Sequence, residues 1–252
     1  MCVPHGTVTG KESFMAGHSK WANIKHKKAK EDAARGKSFT KLIKEITVAA
    51  RQGGGDPSGN PRLRTLLEKA KEINMPLENS KRAIKKGTGE LPGVSYEQYM
   101  YEGYGPGGIA VMVEVLTDNK NRAVAQLRHV FSKKGGNLSE AGSVNWMFSQ
   151  KGVIKATGAQ ITEDELLEIL LDFDIEDVSK NDNLFVVTCS AKALIEVKKA
   201  VKDAGLTVEH DQVEWVAKDS TTPDNATALK SIEFLDALDE LDDIQNVYSN
   251  LG

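Results

Sequence analysis

The sequence predicts an α+β protein: an N-terminal helical bundle followed by two ferredoxin-like α/β domains, one inserted in the other. Three observations carry this expectation. Up to Pro92 apolar residues recur at helical spacing between basic positions. Beyond Leu91-Pro-Gly93, short apolar runs bounded by turn residues alternate with helical stripes. The order strand-helix-strand-strand-helix-strand then occurs within residues 152–215, and again in the pieces flanking them. The expected units are a basic helical domain at 18–92, an outer α/β domain at 93–150 plus 217–252, and an inserted one at 151–216. Residues 1–17 are expected to form a disordered tail.

The stretch His18 to Ser38 opens the helical unit. Lys20, Lys25, Lys27, Lys28 and Lys30 fall in it with Trp21 and His26, and no acidic residue interrupts the run before Glu31. Gly36 permits a break, after which Phe39, Leu42, Ile43, Ile46, Ala49 and Ala50 form an apolar stripe. Gln52 to Gly59 reads as a connector, and Asn60-Pro61 as a helix start, a cap followed by proline in the first turn. Leu63, Leu66, Leu67, Ala70 and Ile73 give the next stripe. Pro76 opens a shorter helix that ends at Gly87-Thr-Gly89.

In the outer unit, Tyr96–Tyr104 and Ile109–Thr117 read as strands joined by a tight glycine-rich turn. Asp118-Asn119 caps a helix through Ser132, closed by Gly135-Gly136, and Ser143–Ser149 reads as a further strand. The insert contains strands at Gly152–Thr157, Ile175–Ser179, Leu184–Cys189 and Thr207–Trp215. Its helices begin at the capping box Thr162-Glu-Asp-Glu165 and at Lys192. A strand near Val213–Lys218, a helix Ala226–Glu240 and a short strand Ile244–Tyr248 complete the outer unit.

The net charge of −3 conceals an asymmetry. Residues 18–92 hold 18 Lys and Arg against 8 Asp and Glu, a balance of +10, whereas residues 93–252 hold 14 against 27, a balance of −13. One end is an anion-binding module and the rest is acidic. Two cysteines, Cys2 and Cys189, exclude a disulfide framework and suit a reducing compartment. With no apolar run of transmembrane length and no signal-peptide core, the expectation is a cytoplasmic protein that meets no membrane.

Lysine ammonium groups displace counterions from phosphates, and an indole can stack on a base. The residues expected to contact nucleic acid are therefore Lys20, Trp21, Lys25, His26, Lys27, Lys28, Lys30, Lys37, Lys41 and Lys44. Arg62, Arg64, Arg82, Lys85 and Lys86 extend this patch. Gly103-Tyr-Gly-Pro-Gly-Gly108 matches the dinucleotide fingerprint in letters, but a strand follows where a helix is needed, so it reads as a hairpin loop. As a second contact, Tyr104 and the amides of Gly105, Gly107 and Gly108 make a surface near which Lys120 and Arg122 are expected to point. Gly36-Lys37-Ser38 is no phosphate loop, since Glu31 stands where its first glycine belongs.

Nothing argues for an enzyme. The five histidines lack metal-ligand spacing, no nucleophile elbow occurs, and no carboxylate pair stands out. The acidic run Asp236, Asp239, Glu240, Asp242 and Asp243 reads as the wet face of a helix with Phe234, Leu235, Leu238 and Leu241 beneath. Trp146 and Phe148 read as packing residues. No catalytic residue, metal, cofactor or small-molecule substrate is expected.

The motifs Met15-Ala-Gly-His-Ser-Lys-Trp-Ala-Asn-Ile-Lys-His-Lys-Lys, Phe39-Thr-Lys-Leu-Ile-Lys-Glu-Ile, Gly59-Asn-Pro-Arg-Leu-Arg64, Glu102-Gly-Tyr-Gly-Pro-Gly-Gly108 and Gln245-Asn-Val-Tyr-Ser249 closely resemble the YebC/PmpR family. That family's eukaryotic relative is the mitochondrial translational activator of cytochrome c oxidase. The resemblance runs from Met15 to the C-terminus, and residues 1–14 depart from it. It implies three domains, one helical and two α/β around a cleft. It also implies a regulator of gene expression: either a DNA-binding transcriptional regulator, or a factor bound to ribosomal RNA or tRNA that eases elongation through difficult sequences such as proline runs. Lysines that hold phosphate but read no base favour the second slightly. A protein-interaction scaffold that binds no nucleic acid is the alternative.

Overall fold

The computed structural model describes residues 32–158 and 160–252. The expected helix over Lys20–Lys30 lies outside the described residues. Among the described residues three helices form the N-terminal bundle: α1 (Asp32–Gly53), α2 (Pro61–Glu72) and α3 (Leu77–Thr88). Contrary to the expected break, α1 runs unbroken through Gly36. A mid-helix glycine costs about 1 kcal/mol against alanine, and the face it continues into outweighs that cost. Leu42, Ile46, Ala49 and Ala50 are buried there among Leu63, Leu66, Ala70, Met75 and Ala83.

Asn60 fixes how α2 leaves α1. Its side-chain oxygen caps α2 by accepting the Leu63 N–H at 3.0 Å, while its amide donates to the carbonyls of Ala49 and Gly54. Gly87 sets the crossing of α1 and α3. A Cβ there would stand 2.4 Å from the Thr47 carbonyl oxygen and 2.8 Å from Ala50 Cβ. Gly87→Ala is expected to destabilise the protein by about 1–3 kcal/mol through overpacking, seen as a lower urea midpoint at unchanged m-value. An unchanged midpoint would mean that the two helices separate without cost.

The inserted unit follows its expected order: β4 (Phe148–Thr157), α5 (Glu163–Leu170), β5 (Ile175–Asn181), β6 (Leu184–Ser190), α6 (Leu194–Asp203) and β7 (Thr207–Ala217). The sheet order β5-β6-β4-β7, antiparallel throughout, is the ferredoxin-like arrangement. The capping box at Thr162 and Glu165 is formed in both directions. Ile154, Phe185 and Val187 meet Leu166, Leu170, Val197 and Val201 to make its core.

The outer sheet departs from the expected strand set. It contains β1 (Glu97–Tyr104), β2 (Ala110–Thr117), β3 (Asn137–Ser139) and β8 (Ile244–Ser249), in the order β3-β1-β2-β8. Helices α4 (Lys120–Lys133) and α7 (Asn225–Asp239) cover one face. The strand expected near Val213–Lys218 is the end of β7 and pairs with β4 up to Phe148–Ala217, so it belongs wholly to the insert. β1 fills its place between β2 and β3. A hairpin partner five residues away closes a far shorter loop than a strand arriving after a whole inserted unit. The strand expected at Ser143–Ser149 is a loop and a 3₁₀ turn (Asn145–Met147) until Phe148, because Glu102 takes the amides that a ladder would need. On the other face of the outer sheet, Ala110, Met112, Val144 and Phe148 pack with Trp215 and Tyr248 and join the two sheets.

Candidate nucleic-acid interface

Lys37, Lys41 and Lys44 lie on one face of α1, four and three residues apart. That face meets the end of α7 and the start of β8. Lys37 Nζ donates to the Asp239 carbonyl. Lys41 Nζ lies 2.9 Å from Asp239 Oδ1 and 3.1 Å from the Gln245 carbonyl. Lys44 is 7% exposed, and its Nζ reaches Asp243 Oδ1 at 3.0 Å and the Asp242 carbonyl at 2.8 Å. These three lysines, expected to meet phosphate, instead fasten the bundle to the outer sheet, where carboxylates and helix-end carbonyls already satisfy them.

The acidic run is corrected by the same contact. Phe234, Leu235 and Leu238 are buried beneath the helix as expected, but Asp239 and Asp243 are not its wet face. Asp243 also accepts two bonds from Arg122, from Nε at 3.2 Å and from Nη2 at 2.8 Å. Desolvation raises its pKa, but the hydrogen bonds from Arg122 and Lys44 outweigh this and hold the carboxyl below the usual aspartate range. Arg122 is therefore spent on Asp118 and Asp243.

Of the other expected basic residues, Arg62, Arg64, Arg82 and Lys85 are exposed on α2 and α3, and Lys86 is half-buried. Arg62 bonds Gln52; Arg64, Arg82 and Lys85 form no ion pair with another described residue. Lys20, Trp21, Lys25, His26, Lys27, Lys28 and Lys30 lie outside the described residues.

The glycine-rich hairpin loop forms as expected, with positive φ at Gly107 and Gly108. It does not gather the second contact. Lys120 and Arg122 follow Thr117, at the far end of the eight-residue strands from Tyr104, roughly 20 Å away. Lys120 Nζ lies 4.7 Å over the Tyr99 ring. The Gly105 and Gly108 amides are spent on the carbonyls of Ile109 and Gly105. Gly107 abuts Thr227 and Pro223, and Ser231 bonds the Pro106 carbonyl.

Two features escaped the sequence reading. Glu102 is buried, and its carboxylate accepts the backbone N–H groups of Gly142, Val144 and Asn145 at 2.9, 2.7 and 2.9 Å. Trp146, next in the chain, is 65% exposed, whereas Phe148 is buried as expected. The second feature is a polar junction among the units. Lys69 Nζ bonds the Asp211 carbonyl, Lys198 pairs with Asp211 at 3.0 Å, and Glu114 accepts bonds from Asn246 and Tyr248. Burial raises the Glu45 pKa and lowers that of Lys69 there, each opposed by charges across the junction. A buried charge signals its partners only in three dimensions, so spacing held no sign of it.

Among the described residues no group of three or more His, Cys, Asp or Glu side chains is placed to hold a metal ion. Cys189 is buried, and burial pushes its thiol up to about 11, which makes it a poor nucleophile.

Residues 19–90 match the family described as TACO1/YebC protein N-terminal domain, and residues 96–251 match its second and third domain. A probable transcriptional regulatory protein of Chlorobaculum tepidum is 50% identical over 238 residues, covering 94% of this chain and 95% of that protein. One from Desulfosudis oleivorans is 52% identical over 236 residues, covering 94% and 96%. The crystal structure of a conserved hypothetical protein from Aquifex aeolicus superposes with a TM-score of 0.83 at 48% identity, over 93% of this chain and 97% of that one. The two matches follow one another in chain order and together take in most of the sequence, so this chain is a member of the TACO1/YebC family.

Proposed function

We propose that this protein is a non-enzymatic, nucleic-acid-binding regulator of gene expression, acting in the cytoplasm, whose helical bundle meets phosphate while the acidic units position it. The observation that carries the reading is how the basic residues divide. Lys37, Lys41 and Lys44 are consumed by docking, yet Arg64, Arg82 and Lys85 stay exposed without an ion pair among the described residues. The sequence carries five more lysines ahead of them, Lys20, Lys25, Lys27, Lys28 and Lys30, which lie outside the described residues. An uncompensated basic surface on an otherwise acidic chain suits a polyanion.

The relatives' names, probable transcriptional regulatory proteins, favour a role in transcription. The chemistry of the patch favours a target gripped by its phosphates, such as ribosomal RNA, because lysine neutralises charge and reads no base. Sedimentation with ribosomes, beside titration of promoter and random duplex DNA at roughly physiological salt, separates the two. Stoichiometric pelleting with weak, sequence-blind DNA binding assigns translation; tight preference for promoter DNA without pelleting assigns transcription. Reversing Lys27, Lys28 and Lys30 to Glu is expected to abolish binding in either case. Retained affinity with an unchanged circular dichroism spectrum would overturn this assignment of the phosphate contacts, whereas a protein scaffold would bind its partner equally well without residues 18–92.

A further inference from the structure

We propose that Tyr104 and Trp146 form a stacking platform for an unpaired base of single-stranded nucleic acid. This rests on the reading that nucleic acid is the partner, and extends it to a surface outside the basic bundle. Trp146 is 65% exposed and Tyr104 36%, although Val144 and Phe148 beside Trp146 are buried at 0% and 3%. The fold therefore uses the flanking residues for its core and turns the indole outward.

The two rings are tied to one point. Trp146 Nε1 donates to the Ser143 carbonyl at 3.1 Å, and the Tyr104 hydroxyl donates to the same oxygen at 3.2 Å. Glu102 holds the amides on both sides of Ser143, so the anchor is itself fixed. With their polar hydrogens spent, the exposed parts of the two rings are left for apolar and π contacts. That suits a flat π-surface such as a base. It suits a polyproline segment poorly, since the indole N–H is not available to a peptide carbonyl. A cation adjoins the platform: Lys218 Nζ is held 2.8 Å from the Trp146 carbonyl, and its side chain is exposed. A stacked nucleotide brings a phosphate to which such an ammonium is complementary.

The test uses the full chain and two fluorescein-labelled oligonucleotides of about ten residues, an oligouridylate and an abasic strand with the same phosphates. Removing the bases is expected to weaken binding by about 5- to 100-fold. Trp146→Ala should bind both strands alike, near the abasic level, and Trp146→Phe should recover part of the difference. Because Trp146 is exposed, these variants should fold, which circular dichroism checks. The platform is overturned if base removal leaves wild-type affinity unchanged, if Trp146→Ala keeps the base dependence, or if only Trp21→Ala abolishes it. Competition by an oligoproline peptide would replace the base with a peptide. Failure of the underlying reading looks different, because neither strand would then bind.

Discussion

Asp243→Ala is expected to cost about 3–5 kcal/mol, because it strands a buried ammonium. The Lys44 side chain is 9% exposed and that of Asp243 5%, so water cannot take the place of the carboxylate. The remaining partners of Lys44 Nζ are the carbonyls of Asp242 and Leu116 and, 5.7 Å away, the Tyr96 ring, none of which carries a full charge. Lys44→Met combined with Asp243→Leu is expected to recover much of the loss, since the buried ammonium goes with the carboxylate and the half-exposed Arg122 keeps Asp118. Urea unfolding of the wild type, Lys44→Met, Asp243→Leu and the double variant makes the cycle, and a loss below about 1 kcal/mol for Asp243→Ala would mean that Lys44 reaches solvent. The pH dependence has a fixed sign. The folded pKa of Asp243 lies below its ordinary 3.8, so the stabilisation is complete above that value and is lost as pH falls through the folded pKa. The bundle should therefore release from the outer sheet on strong acidification, with little change between neutral pH and pH about 5.

Glu102→Ala is expected to open the loop that carries Ser143 and Trp146. Each buried donor left unmet costs about 1–3 kcal/mol, and this change orphans the N–H groups of Gly142, Val144 and Asn145 together. Opening to water is less costly than leaving the buried Val144 N–H and the part-buried ones of Gly142 and Asn145 unmet. Hydrogen exchange should show protection lost at those amides while the β1–β2 ladder keeps its own. Unchanged protection would show that the loop is held by Val144 and Phe148 packing instead. Burial works to raise the Glu102 pKa, but the loop amides outweigh it and the carboxyl titrates below its ordinary value of 4.5. Loop protection is thus expected to be full above that value and to fall as the pH drops through the lower folded pKa.

The sequence by itself determined the order of elements in the insert, the capping box, the helices that begin at Pro61 and Leu77, and the family. Those rest on local chemistry: a cap three residues from its glutamate, apolar stripes at a helix period, alternation along a strand. It also located the surplus of positive charge in residues 18–92. Only the tertiary structure decided which strands share a sheet, since β7 reads equally well as a partner for either until its pairing with β4 is complete. Only the tertiary structure divided the lysines, too. A lysine aimed at phosphate and one aimed at Asp243 have the same side chain and the same spacing. What separates Lys44 from Lys85 is a carboxylate about 200 residues away in the chain and 3.0 Å away in space. Trp146 obeys the same rule. Its neighbours announce a core, but Glu102 bends the chain so that the indole faces water. Burial and ion pairing are properties of distant contacts, and spacing along a chain does not encode them.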